Sequence, residues 1–300
     1  MVFESITHTI NSQSIHTMVA GPEDAPVILM LHGFPEYWAA WSKVAEHFTA
    51  THRVVLPDQR GFNLSSKPQE EEAYKTKHLV ADMVALMDQV SPHRPVILCG
   101  HDWGASVAYA IAMRHAQRVS HLIIANGVHP ICFQKALYAA GPQTAASQYM
   151  NVLRAPGCED RLSANRFEKL MGMLEKFSSC EWLDDQSRND YQQAWRDRTT
   201  LRAMLNWYRQ SPMVVPDIGE AAQEFPVTDE MREKFAVPMP HLLLWGLQDT
   251  ALLPESRAEL TQFCAQLELH EHEQASHWIL HEEPDWVARN ISKFLARNSN

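Results

Sequence analysis

The chain has no uninterrupted apolar run of the roughly 20 residues that a bilayer-spanning helix needs, so no transmembrane span is expected. Its opening residues, Met1-Val2-Phe3-Glu4-Ser5, lack a basic stretch followed by an apolar core, and no secretory signal is expected. Cysteine is sparse: Cys99, Cys132, Cys158, Cys180 and Cys264 are an odd number without C-x-x-C spacing, which suits reduced thiols in the cytoplasm better than a disulfide framework. Lys and Arg form no stripe or arm, and the formal charge is −10, which argues against nucleic acid or an anionic membrane as a partner. Histidine is plentiful, yet none falls in an H-E-x-x-H pattern. His270-Glu271-His272-Glu273 reads as a strand with alternate residues solvated, so neither a metal nor another cofactor is expected.

What is present is a chain of 300 residues, 45% hydrophobic and 21% charged, enough for one large α/β domain with an insertion or for two ordinary domains. Two alternating stretches, Phe3 to Ile10 and Ser14 to Val19, predict an N-terminal hairpin across Asn11-Ser12-Gln13. Val27 to Leu31, Val54 to Asp58, Val96 to Cys99 and Leu122 to Ala125 are apolar runs of the kind buried on both faces of a parallel sheet. Helical spacing lies between them, from about Trp38 to Phe48, from His78 to Val90 and from Ala105 to Ala112. Such alternation means a parallel sheet with helices on both faces.

The alternation breaks near residue 131. From there to about 236 there are helical or mixed segments at 143–154, 163–177 and 187–210, then a stretch punctuated by Pro212, Pro216 and Pro226, together expected to form a helical insertion. Strand pattern returns at His241 to Gly246 and at 267–273, with a helix expected from near Pro254 and a last one from about Pro284 to Leu295.

Gly100-His101-Asp102-Trp103-Gly104 sits between a strand and a helix. Glycines on both sides of one polar residue fit a turn that needs either φ > 0 or a missing Cβ where helix and strand nearly touch. Asp102 could be an exposed nucleophile in such an elbow, or simply the N-cap of the following helix. Ligands bind at the carboxyl ends of strands in open α/β sheets. Three polar residues lie just past strand ends in the order Asp102, Asp249, His277, which is the nucleophile, acid, histidine order of the elbow enzymes.

With these residues in view, the sequence resembles the α/β-hydrolase superfamily and within it the epoxide hydrolases. The likeness rests on His32-Gly33-Phe34-Pro35-Glu36, Gly100-His101-Asp102-Trp103-Gly104, Leu244-Trp245-Gly246 with Asp249, and Ser276-His277-Trp278, and it runs along essentially the whole chain. It implies an α/β-hydrolase fold, a mostly parallel eight-stranded sheet with a helical cap, in which 1–130 and 237–300 form the core and 131–236 the cap. Family members place ring-opening tyrosines upstream of a Pro-Gly pair and in a Trp-Tyr-Arg segment. Tyr149, ahead of Pro156-Gly157, and Tyr208, in Trp207-Tyr208-Arg209, fill those positions.

The implied chemistry accounts for the residue types. Serine attacking an epoxide carbon would leave a stable ether, whereas a carboxylate leaves an ester that water can cleave, so Asp102 suits the task. The ring oxygen develops alkoxide charge, which two phenol hydroxyls, Tyr149 and Tyr208, could meet. His277, oriented by Asp249, would activate water. By resemblance the backbone amides of Phe34 and Trp103 form the oxyanion hole. Trp38, Trp41, Trp103, Phe133, Met150 and Leu153 are candidates for apolar pocket lining, although such residues also build plain core. The expected reactants are a small-molecule epoxide and water, and a homodimer is left open.

Two other readings stand beside this one. A haloalkane dehalogenase shares the Asp-His-Asp triad and often a Trp after the nucleophile; the tyrosines favour an epoxide over a halide. The fluoroacetate-cleaving branch fits less well, because residues 103–107 contain no Arg to grip a carboxylate. A catalytically silent α/β-hydrolase fold that senses a small molecule is the third possibility, and such proteins commonly lose a triad member.

Overall fold

In the computed structural model, residues 3–298 are described. Eight strands form one sheet: β1 (Glu4–Ile10), β2 (Gln13–Ala20), β3 (Val27–Leu31), β4 (Arg53–Pro57), β5 (Val96–His101), β6 (Val119–Ala125), β7 (His241–Gly246) and β8 (Leu267–His272), in the spatial order β1-β2-β4-β3-β5-β6-β7-β8. β1 and β2 are antiparallel, as are β2 and β4, and the remaining pairs are parallel. The first hairpin turns through Asn11 and Ser12, both at positive φ, the conformation a tight two-residue connection requires.

Alternate residues of each central strand feed two separate cores. Leu29, Leu31, Val55 and Leu98 face α2 (Thr76–Val90) and α3 (Trp103–Arg114), whereas Ile28, Met30, Val54 and Ile97 face α1 (Ser42–Glu46) and the C-terminal helix. Both faces are therefore dry, which is why Val27–Leu31 is apolar without interruption.

Between β6 and β7 no strand occurs among the described residues. The chain forms α4 (Pro130–Tyr138), α5 (Pro142–Ala146), α6 (Gln148–Arg154), α7 (Cys158–Lys176), α8 (Asp185–Trp195), α9 (Arg198–Arg209) and α10 (Asp229–Lys234), and after β8 come α11 (Ile279–Glu282) and α12 (Pro284–Arg297). Several expected helices are broken. The segment expected at 187–210 splits at Arg196, which has φ +52, and Asp197 then caps α9 by accepting from the Thr200 amide. The segment expected at 143–154 divides at Ser147, and α7 is kinked where Asn165, Arg166 and Phe167 have positive φ. No α-helix starts at Pro254; two 3-10 turns stand there, separated by Glu259 at φ +63.

Indole N–H groups stitch these helices to the sheet. Trp195 donates to the Pro35 carbonyl at 2.6 Å, Trp207 to that of Arg60 at 2.9 Å, and Trp278 to that of Leu174 at 2.8 Å. The Asp58–Phe62 loop is pinned from below: Arg60 makes a two-pronged ion pair with buried Asp82 of α2, with both contacts at 2.7 Å.

Candidate active site

The chain runs from β3 outward to β4 and then crosses to the other side of β3 for β5. The β3 and β5 carboxyl ends are thus where the crossovers diverge, the place where an open α/β sheet leaves a crevice. Leu31 is paired with Gly100, which sets the loop after β3 beside the elbow after β5. Asp102 is at φ +51, ψ −119, a costly conformation for a residue with a side chain, and it throws the carboxylate off the turn. The flanking glycines are not the residues with positive φ. They permit close approach instead: a Cβ on Gly104 would lie 2.2 Å from the Leu31 carbonyl oxygen and one on Gly100 2.7 Å from the Gly104 carbonyl oxygen, and in the loop after β3 a Cβ on Gly33 would lie 2.4 Å from Asp102 itself.

Asp102 stands at the N-cap position of α3, yet its side chain makes no capping bond. Oδ1 accepts from the Phe34 amide at 2.7 Å, and Oδ2 lies 3.5 Å from His277 Nε2. Trp103 is the first residue of α3, so its N–H has no acceptor within the helix. His277 Nδ1 is 2.8 Å from Asp249 Oδ2, and Asp249 Oδ1 accepts from the amides of Ala251 and Leu252. All three side chains are nearly or wholly buried.

Burial disfavours the His277 imidazolium, but the Asp249 and Asp102 carboxylates outweigh it and raise its pKa from 6.5 to about 10. Burial would likewise raise the Asp249 carboxyl, yet His277, the Leu252 amide and Asn126 hold it below the usual range.

Two cavities meet at Asp102. The larger, about 430 Å³, is bordered by Asp102, Trp103, Phe133, Tyr149, Met150 and Tyr208 among others. The smaller, about 20 Å³, is bordered by Asp102, His277, Phe34, Tyr149 and Tyr208, and its volume admits a single water. Tyr149 of α6 and Tyr208 of α9 face each other with ring centroids 6.4 Å apart, because Arg154 of α6 donates to the Tyr208 carbonyl at 3.0 Å and ties the helices together. Burial, then the nearby Asp102, raises the pKa of Tyr149 far above 10; Tyr208 is raised by burial, Tyr149 and Asp102. Both phenols thus keep their protons and remain hydrogen-bond donors. The Tyr149 hydroxyl makes no hydrogen bond to any described residue.

Three candidates for pocket lining fall elsewhere. Trp38 packs against Phe3 and the core on the opposite face of the sheet, and Trp41 is buried in that same core with its indole donating to the Leu31 carbonyl. Leu153 is buried on the correct side but faces into the core and borders neither cavity. The reason is helical phase: Met150 and Leu153 share α6, and only Met150 turns toward the opening. No group of three or more His, Cys, Asp or Glu side chains among the described residues converges in a way that could hold a metal.

The alpha/beta hydrolase fold family matches residues 26–284. AB hydrolase superfamily protein YfhM of Bacillus subtilis is 32% identical over 95% of each chain. Epoxide hydrolase 2 of Caenorhabditis elegans is 30% identical over 95% of this chain and 78% of its own. This chain belongs to the epoxide hydrolases of the α/β-hydrolase superfamily. Solved structures agree. An epoxide hydrolase from Bacillus megaterium, in complex with an inhibitor, superposes with a TM-score of 0.85 at 26% identity, covering 97% of this chain and all of that one. One of a set of epoxide hydrolases from metagenomes of hot environments reaches 0.84 at 32% identity, covering 98% and 99%.

Two features of this epoxide hydrolase family member escaped the sequence reading. Asn126, just past β6, donates to Asp249 Oδ2 at 2.7 Å and accepts from the Gly246 amide at 2.8 Å. Glu36, fully buried, lies 3.1 Å from His101 Nδ1 and 2.6 Å from His281 Nε2, and accepts from the Tyr191 hydroxyl at 3.0 Å. Burial opposes the charge on Glu36, but the two histidines hold its carboxyl far below the usual range. His101 Nε2 in turn lies 2.8 Å from the His277 carbonyl. Glu36 therefore connects the loop after β3, the elbow, the His277 loop and α8. Its presence in His32-Gly33-Phe34-Pro35-Glu36 was the available signal, but its partners are scattered over the chain.

Proposed function

We propose that the protein hydrolyses epoxides to vicinal diols through a covalent ester on Asp102. The observation that carries this reading is that Asp102, Tyr149 and Tyr208 border both cavities, so substrate and water can reach one carboxylate from two compartments. Oδ1 of Asp102 already rests on the Phe34 amide, which leaves Oδ2 as the attacking oxygen. Oδ2 forms a bond to a ring carbon, the carbon–oxygen bond of the ring breaks, and the hydroxyls of Tyr149 and Tyr208 donate to the departing oxygen, which ends as a hydroxyl. Once Asp102 is an uncharged ester, His277 loses one of the two carboxylates that raise its proton affinity. Its proton then passes on to replace the one that the tyrosines give to the ring oxygen, and the neutral Nε2 takes a proton from water as the water oxygen attacks the ester carbon. The Phe34 and Trp103 amides receive the oxyanion, which collapses by breaking the bond from that carbon to the alkyl-bearing Oδ2, and His277 returns a proton to Oδ2 so that the diol leaves.

In the same reading residues 131–236 act as a cap on a core of 1–130 and 237–300. The support is that α6 and α9, which carry the tyrosines, lie between β6 and β7 in the chain. Five free thiols, four of them buried, support the cytoplasm as the site of action. No helix among the described residues is long and apolar enough to cross a membrane.

The test is mass spectrometry of the His277→Gln variant mixed with an aryl epoxide. The expected result is a stable adduct on Asp102. An adduct with haloalkanes and none with epoxides would establish the dehalogenase reading instead, and reaction with neither would favour a non-catalytic sensor.

A further inference from the structure

Away from Asp102, at the outer edge of the sheet, three side chains form a second relay. Ser5 Oγ of β1 lies 3.0 Å from His16 Nε2 of β2, and His16 Nδ1 lies 2.7 Å from Oδ2 of Asp58, the residue after β4. A carboxylate only accepts, so Nδ1 carries the ring proton and donates to Asp58. That leaves Nε2 to accept from the Ser5 hydroxyl. Both distances fall in the range expected of a nucleophile, its base and the group that orients the base. Ser5 and His16 meet because β1 and β2 pair with Ser5 opposite Met18 and Thr7 opposite His16.

A buried histidine–aspartate pair ordinarily serves folding alone, but two observations set this one apart. The first is that Asp58 is held as Asp249 is. Oδ1 accepts from the Trp38 amide at 3.0 Å, while Oδ2, the oxygen facing the imidazole, also accepts from the Asn63 side chain at 2.9 Å and the Leu64 amide at 3.4 Å. Asp249 likewise gives one oxygen to amides and shares the other between an asparagine and an imidazole. The second is that burial is graded. Asp58 and His16 are buried, whereas Ser5 is exposed, so the hydroxyl is the member of the three that a reagent from solvent meets. Beside it, Phe3 and Met18 pack on the same face of the hairpin, and the Trp38 ring lies 6.0 Å from that of Phe3. All three are only partly buried and make an apolar shelf next to the hydroxyl.

We propose that Ser5, His16 and Asp58 form a second nucleophilic site, which hydrolyses small carboxylic esters with a short apolar acyl group. It is independent of the epoxide reading. Ser5 Oγ bonds to the ester carbonyl carbon as its proton passes to His16 Nε2, and Asp58 stabilises the imidazolium. The tetrahedral adduct collapses by breaking the bond from carbon to the alkoxy oxygen, which takes the proton from His16 and leaves as an alcohol. Water then attacks the acyl-serine; His16 takes its proton and returns it to Ser5 Oγ, so ester and water give acid and alcohol. β1 is the edge strand, and its outward amides lack a ladder partner, which makes them the donors open to the oxyanion. The shelf is shallow, so turnover is expected to be slow.

The experiment treats the protein with a fluorophosphonate, a reagent that phosphonylates activated serines, and maps the adduct by peptide mass spectrometry. The adduct is expected on Ser5, present also in the Asp102→Asn variant and absent from Ser5→Ala. Absence of label from Ser5 in the intact protein overturns the inference. Removing buried His16 endangers the fold, so its part is read from the Ser5→Cys variant. Alkylation of the introduced thiol by iodoacetamide should rise with pH through an inflection below about 7.5, as for thiols paired with an imidazole. An inflection near the ordinary thiol value of about 8.5 overturns the inference as well, because His16 then activates nothing at this position.

Discussion

Asn126 and Asp249 share one hydrogen bond, 2.7 Å from Nδ2 to Oδ2, on the same carboxylate oxygen that faces His277 Nδ1. Asn126 is fully buried and also receives the Gly246 amide, so it fixes both the acid and the end of the strand that carries it. With Oδ1 of Asp249 bound to two amides and Oδ2 to Asn126, the carboxylate has one rotational setting, and His277 inherits its orientation from it.

Replacing Asn126 by Ala should therefore affect the second chemical step more than the first. Ester hydrolysis is expected to slow by about ten- to a hundredfold, since a hydrogen bond to a charged group is worth about 1.5–3 kcal/mol, while the orphaned Gly246 amide costs about 1–3 kcal/mol of stability. Single-turnover kinetics with a chromogenic epoxide, together with urea unfolding, would measure both. Equal slowing of alkylation and hydrolysis would refute a role confined to orienting Asp249.

The two tyrosines should act on the other step. Each of Tyr149→Phe and Tyr208→Phe is expected to slow alkylation by about a hundredfold, the usual cost of losing one preorganised donor, and the double change should nearly abolish it. Ester hydrolysis should change much less. An unchanged alkylation rate in the double variant would remove them from the reaction.

The pKa of His277 makes a prediction about stability against pH. It is raised on folding, so its proton stabilises the folded chain fully below about pH 6.5, and that contribution is lost as pH climbs through about 10. The gap in melting temperature between the intact protein and His277→Gln should be widest in mild acid and narrow steadily toward alkaline pH. A gap of constant size across that range would mean that Asp102 and Asp249 do not hold the proton.

Much of this was legible before the fold was known, and the parts that were not have a common cause. Strand and helix alternate because apolar runs such as Val27 to Leu31 and periodic stretches such as His78 to Val90 are local patterns, and the loops at strand ends carry Asp102, Asp249 and His277 in order. Helix breaks were less visible: Arg196 and Glu259 adopt positive φ without the glycine or asparagine that usually announces it. The pocket assignment of Trp38 failed because an aromatic beside a strand end can face either side of the sheet, and here it faces the side away from the elbow.

By itself, then, the sequence determined the alternation of elements, the residue types at the strand ends and the presence of two tyrosines in the helical segment, all properties of neighbours along the chain. Tertiary structure alone decided which side chains share a cavity wall, because that depends on where α3, α4, α6 and α9 cross and on their rotational phase. It alone brought Asn126 to Asp249 and Glu36 to His101, His281 and Tyr191, contacts between residues 65 to 245 positions apart. Nothing in a linear sequence distinguishes Arg114 and Lys234, which make no ion pair with any described residue, from Arg232 and Lys135, whose charges the folded chain neutralises.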